Sequence, residues 1–155
     1  MIEPLPRRAT TSDAAELNAL ARAAYAIYLP VIGREPQPMA TDWQTLFASQ
    51  EIWIVDGPSG PIASLALKVE PDHVVVWSVA VLPEHQHKGL GRRLLGFAET
   101  HSRSLRRPEI RLFTNAKMVR NIALYRSLGY VETRREGLLD RVIVHMSKRL
   151  DIRSG

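Results

Sequence analysis

The residues with the clearest chemical potential lie in Val79-Ala80-Val81-Leu82-Pro83-Glu84-His85-Gln86-His87-Lys88-Gly89-Leu90-Gly91-Arg92. An apolar run gives way to a short polar loop, and a helical pattern then opens on two glycines. The start of a helix presents unpaired N–H groups and a partial positive charge, which suits a phosphate. Glycine at 89 and 91 lets the backbone approach a pyrophosphate without a Cβ in the way. Lys88, Arg92 and Arg93 add positive charge nearby. Two common phosphate loops are excluded. A P-loop needs Lys-Ser or Lys-Thr after its last glycine, whereas Arg92-Arg93 follow Gly91. A dinucleotide fingerprint needs a third glycine where Leu94 stands. Downstream, Asn121 and Tyr125 are four residues apart and so share one helical face.

The elements that must position these residues are read from periodicity and breakers. A short strand is expected at Leu5–Ala9. Thr11-Ser12-Asp13 offers caps for a helix to about Tyr28, with Leu17, Leu20, Ala21 and Ala24 on one face. Pro30, Gly33, Pro36 and Pro38 predict a loop, and a short helix follows Thr41-Asp42. From Glu51 the period becomes that of strands: Glu51–Asp56, a turn at Gly57-Pro58-Ser59-Gly60, then Ile62–Glu70. His73–Leu82 is almost unbroken in apolar residues, as a central strand covered on both faces would be. A helix over Gly89–Leu105, a strand at Ile110–Thr114, a helix over Lys117–Leu128 ended by Gly129, and strands at Tyr130–Arg135 and Arg141–Leu150 complete the chain. The order β-α-α-β-β-β-α-β-α-β-β predicts one α/β domain over residues 1–155, with helices on both faces of a mixed central sheet.

Gln86-His87-Lys88-Gly89-Leu90-Gly91 resembles the acyl-CoA loop of the GCN5-related N-acetyltransferase (GNAT) family, Gln/Arg-x-x-Gly-x-Gly/Ala. In that family the loop joins the fourth strand to the third helix, where the elements above place it. A second resemblance lies in Asn121-Ile122-Ala123-Leu124-Tyr125, followed by Gly129-Tyr130. The family often shows Asn-x-x-Ala-x-x-x-Tyr here; this chain keeps the asparagine and a tyrosine, with alanine displaced to Ala123.

The resemblance implies the acyl-CoA N-acyltransferase fold and transfer of an acetyl group from acetyl-CoA to a primary amine, by direct attack in a ternary complex. It implies that Tyr125 protonates the leaving thiolate, a role open to a phenol whose ordinary pKa is near 10. Residues 86–92 (Gln86, His87, Lys88, Gly89, Leu90, Gly91 and Arg92) would cradle the pyrophosphate, and Asn121 would bond the pantetheine or phosphate region. Val79, Ala80 and Val81 would present backbone groups to the pantetheine on a strand that splays from its neighbour. A general base is missing from one familiar position, eleven residues before Gln86, where Val75 stands. His73, Glu84, His85 and His145 are alternatives, directly or through water, and an amine of low pKa needs none. The first two helices and their loop would build the acceptor side, with Tyr25, Tyr28, Met39 and Trp43 as its wall or as a satellite core.

Bulk composition sets the outer limits. The chain has 155 residues, 45% of them apolar and 24% charged, enough for one sizeable core. With no cysteine, thiol nucleophiles and thiolate metal sites are excluded, and no metal site is expected. No apolar run reaches the roughly 20 residues of a membrane span. Met1-Ile2-Glu3-Pro4 lacks a signal-peptide layout, so a cytoplasmic protein without membrane partners is expected. The net charge of +5 suits anionic partners in general. Arg103, Arg106, Arg107 and Arg111 lack the interleaved aromatics of a nucleic-acid surface, and none is expected to bind there. Homodimers are common in the resembling family, but no residue here fixes the oligomeric state. A non-catalytic acyl-CoA sensor is the rival reading.

Overall fold

A computed structural model describes residues 5–152. Its strands are β1 (Arg7–Arg8), β2 (Glu51–Gly57), β3 (Gly60–Val69), β4 (Val74–Val81), β5 (Glu109–Asn115), β6 (Val131–Leu138) and β7 (Arg141–Arg149). The helices are α1 (Ala14–Tyr25), α2 (Leu29–Ile32), α3 (Gln37–Ala40), α4 (Leu90–Ser104) and α5 (Val119–Ser127). One seven-stranded sheet runs in the order β1-β2-β3-β4-β5-β7-β6. Only the β4–β5 pair is parallel. The valine-rich strand is therefore central, as its unbroken apolar run predicts.

Two cores cover the two faces. On one, Leu90, Leu94, Leu95 and Ala98 of α4 and Ile122 of α5 pack on Leu65, Leu67, Val74, Val76, Ile110, Val144 and Met146. On the other, Leu17 and Ala21 of α1 and Trp43 pack on Ile52, Ile54 and Ala66. Helix α4 keeps its period because its apolar residues recur every three or four positions, while Arg92, Thr100 and Arg103 face water.

The segment between α1 and β2 departs from expectation. Residues 26–28 and 43–48 form 3₁₀ turns, and the predicted loop contains the four-residue helices α2 and α3. Pro30 and Pro38 sit in the first turn of each, where the missing N–H costs nothing and the fixed φ favours helix. At the N-terminal end, β1 is two residues long, shorter than the expected strand. No helix among the described residues is long and apolar enough to cross a membrane.

Candidate active site

The sheet comes apart at its centre. Strand β4 pairs with β5 only over Val74–Val76 against Ile110–Leu112. Beyond that point β5 stays paired with β7 as far as Asn115, while β4 stays with β3. A bulge marks the fork: Val76 opposes Leu67 and Ser78 opposes Ala66, leaving Trp77 as the extra residue. The bulge also reverses the side-chain phase. Val74 and Val76 face α4 before it, and Val79 and Val81 do so after it.

Beyond the fork, alternate residues of β4 lose the strand partner that β5 gives Val74–Val76. Leu82 N–H donates to the Ile62 carbonyl at 2.9 Å, so alternation turns Ser78 and Ala80 toward β3 as well. Val79 and Val81 therefore direct their N–H and C=O groups to the open edge. Side chains take the two carbonyls. The Tyr25 hydroxyl donates to Val79 O at 3.1 Å, and the Gln86 amide donates to Val81 O at 2.9 Å. The N–H groups of Val79 and Val81 face the open edge without a strand partner, while the backbone of Ala80 serves the sheet.

A cavity of about 1000 Å³ fills the fork and passes through the sheet. On the α4 side it is bounded by Val79, Val81, Leu90, Leu95 and Tyr125. On the α1 side it meets Tyr25, Tyr28, Phe113, Glu136 and His145.

At one end of this cavity α4 begins. Gly89 is its N-cap with φ +83°, a left-handed conformation that costs a residue bearing a Cβ about 1–2 kcal/mol. His87 is also left-handed, at φ 64°. The first backbone bond of the helix runs from Arg93 N–H to the Gly89 carbonyl, leaving the N–H groups of Leu90, Gly91 and Arg92 without helical partners. Gly91 differs from Gly89. It is helical, and a Cβ there would meet nothing within 4 Å. The fold therefore does not require glycine at 91, whereas close approach of a ligand would. His87, Gly89, Leu90, Gly91 and Arg92 line the cavity. Lys88 is exposed and does not. Gln86 lines it too, but its amide ties the loop to β4.

Helix α5 brings Asn121 and Tyr125 to the same cavity, as their spacing predicts. No described residue hydrogen-bonds the Tyr125 hydroxyl. Burial, followed by the nearby Tyr25 and Tyr28, pushes its pKa well above the ordinary phenol value, so the group keeps its proton. Asn121 interacts with the Tyr28 hydroxyl, offsetting part of the rise that burial gives Tyr28. Tyr25 is raised to about 12 by burial, so it remains a donor to Val79, while Ser78 Oγ lies 2.9 Å from its oxygen.

The expected acceptor wall is only partly present. Tyr25 and Tyr28 line the cavity, but Met39 and Trp43 do not. Trp43 is fully buried beneath the segment, its ring edge-on to Trp77 at 5.8 Å and its indole N–H bonded to the Pro38 carbonyl. That is the satellite core, the other reading of this aromatic cluster. In place of those two residues the cavity gains Phe113, Leu138, Ile143, Glu136 and His145 from β5, β6 and β7. The alternation of Ile143 and His145 with Val144 and Met146 could have placed His145 on the outer face, but Glu136 carries no such signal. Above the cavity Arg34 bridges to Asp140 at 2.5 Å, joining the α2–α3 segment to the β6–β7 turn. Among the described residues, no group of three or more His, Asp or Glu is arranged to hold a metal ion.

The acetyltransferase (GNAT) domain profile matches residues 48–132, more than half of the chain. The chain belongs to the GNAT family of acetyltransferases. Its fold is shared by the Escherichia coli ribosomal-protein-S18-alanine N-acetyltransferase, with TM-score 0.77 and 19% identity over 95% of this chain and 94% of that one. An acetyltransferase from Thermus thermophilus gives TM-score 0.77 and 18% identity over 96% and 100% of the two chains. The PaiA N-acetyltransferase of Thermoplasma acidophilum, solved in complex with coenzyme A, gives TM-score 0.75 and 17% identity over 94% and 98%. No curated protein sequence matches the chain.

Proposed function

We propose that this chain acts as one domain that transfers an acetyl group from acetyl-CoA to a primary amine, by direct attack while both are bound. The observation that carries the reading is the cavity through the forked sheet. It presents a phosphate-suited helix start and two free strand N–H groups on one side, and aromatic and ionisable side chains on the other. The coenzyme A complex of the Thermoplasma neighbour supports the choice of donor.

The residues fit such a cosubstrate. Unpaired N–H groups at Leu90, Gly91 and Arg92 would hold its pyrophosphate, with the Arg92 side chain adding charge. Val79 and Val81 would fix the pantetheine as an added strand edge, and Asn121 would bond it from α5. Bound acetyl-CoA supplies an activated acyl carbon on a thiol leaving group. Tyr125, held neutral by burial, gives its proton to the departing sulfur. Tyr28, Phe113 and Ile143 would flank the amine on the α1 side.

Calorimetric titration of acetyl-CoA, followed by thiol-release assays on a panel of amines, tests the reading. Binding with amine-dependent thiol release is expected. Binding without release from any amine would leave the sensor reading, and no binding by folded protein would overturn both.

A further inference from the structure

We propose that His145 is the general base of the acetyl transfer and that Glu136 is its positioning residue; this rests on the reading of the cavity given above. The sheet position where a carboxylate is missing holds Val75, so any base comes from elsewhere. Two of the other ionisable candidates lie away from the cavity: His73 is paired with Asp72 at 2.6 Å, and Glu84 is exposed on the loop before α4. His85 lines the cavity, but from the loop that leads to the helix start. His145 lines it from the face on which an acceptor would enter.

The geometry around His145 is that of an oriented imidazole. In the β6–β7 register His145 opposes Arg134, and Glu136 opposes Ile143, so Glu136 is the diagonal neighbour of the histidine on the same face. A bulge at Thr133 in β6 sets that register, and Thr133 Oγ1 donates to the His145 carbonyl at 3.2 Å. Glu136 Oε1 lies 3.0 Å from Nε2 of His145. With Nε2–H donated to the carboxylate, Nδ1 carries the lone pair, and no described residue bonds it. Phe113, the cross-strand partner on β5, lies 6.1 Å away ring to ring and screens the imidazole from that side.

The surrounding charges suit proton acceptance. Arg134 of β6 lies 3.9 Å from Glu136. Arg141, on the same strand as His145, and Arg34, from the segment above, are both paired with Asp140, at 3.0 and 2.5 Å. Glu35, Tyr25 and Tyr28 complete the ionisable groups bordering the acceptor side. An ammonium group entering here meets the carboxylates of Glu35 and Glu136, while Arg34, Arg134 and Arg141 are each paired with a carboxylate.

The protons balance. His145 takes one proton from the ammonium, freeing the nitrogen lone pair. The C–N bond forms and the C–S bond breaks; Tyr125 gives its proton to the sulfur. The second proton shed by nitrogen restores Tyr125, and His145 releases the first to solvent. The net products are amide, thiol and one proton.

The test compares wild type, His145→Gln and Glu136→Gln with acetyl-CoA and 2-phenylethylamine, spermidine and an alanine-terminated peptide as acceptors. The expected result for His145→Gln is a fall in kcat of about 10²–10⁴-fold, unchanged acetyl-CoA affinity and loss of the acid limb of the kcat–pH profile. Glu136→Gln should lower kcat less, with KM for the amine and acetyl-CoA affinity unchanged, because the imidazole loses its orientation and not its place in the cavity. A change in kcat of under about threefold with an unaltered profile in His145→Gln overturns the assignment. So does a fall matched by equal loss of acetyl-CoA binding. If His145→Gln does not fold, an unchanged kcat in Glu136→Gln overturns it alone. Wild type that binds acetyl-CoA but acetylates none of these amines overturns the transferase reading, and this one with it.

Discussion

The Tyr25 hydroxyl donates to the Val79 carbonyl at 3.1 Å, and through that one bond helix α1 holds the free edge of β4. The carbonyl would otherwise be an unpaired, part-buried acceptor on a strand whose neighbour has departed. Tyr25→Phe should destabilise the protein by about 1–3 kcal/mol, the cost of leaving such a group unsatisfied. Denaturant unfolding would measure it, and acetyl-CoA affinity should fall as the edge loses its restraint. Equal stability of variant and wild type would show that the carbonyl finds another donor.

Gly91 and Gly96 make a matched pair within α4. Both are helical, and a Cβ at either meets nothing within 4 Å. Alanine should therefore stabilise the free protein at both positions by about 0.4–1 kcal/mol. Only Gly91→Ala should also weaken acetyl-CoA binding, because only Gly91 borders the cavity. Paired thermal unfolding and calorimetry separate the two effects, and equal affinities would remove the pyrophosphate from this helix start.

Tyr125→Phe keeps the ring and removes the proton. The expected outcome is a loss of about 10²–10⁴-fold in kcat with acetyl-CoA binding retained. Because burial raises the phenol well above its ordinary value, Tyr125 should contribute no falling limb to the activity profile in the neutral to mildly alkaline range. A pH series of initial rates in wild type checks this.

Asp13 accepts the Thr10 N–H at 2.9 Å and a paired contact from Arg7 at 3.0 and 3.1 Å. The Arg7 bond, then that from Thr10, holds its carboxyl below the ordinary 3.8. A depressed folded value means that the stabilisation is complete above the unfolded value and disappears as pH falls through the folded one. Asp13→Asn should cost about 1–2 kcal/mol at neutral pH. Unfolding curves from pH 7 downward should show the gap between variant and wild type closing only in acid.

Much of this site is legible in the chain because its parts are local. Gly89 and Gly91 follow an apolar strand at a fixed distance, and the four-residue spacing of Asn121 and Tyr125 puts both on one face of a helix. What is not legible depends on contacts between distant segments. Trp43 and Tyr28 are both aromatics near a proline-rich stretch, and only packing sends one into the core and the other to the cavity. Glu136 sits in a strand of mixed charges that looks like any solvated edge until β7 places His145 beside it. The bulge at Trp77 is hidden for another reason: residues 74–81 are nearly all apolar, so a shift of phase leaves no trace in their pattern.

That bulge acts on the strand as an inserted letter acts on a reading frame. Upstream and downstream of Trp77 the same alternation is read in opposite phases, and the join falls where the sheet divides. Removing a single residue there would bring the two phases into agreement along β3. The proposed reaction site thus opens where the frame of β4 shifts, and it owes its place in the sheet to a residue that pairs with nothing.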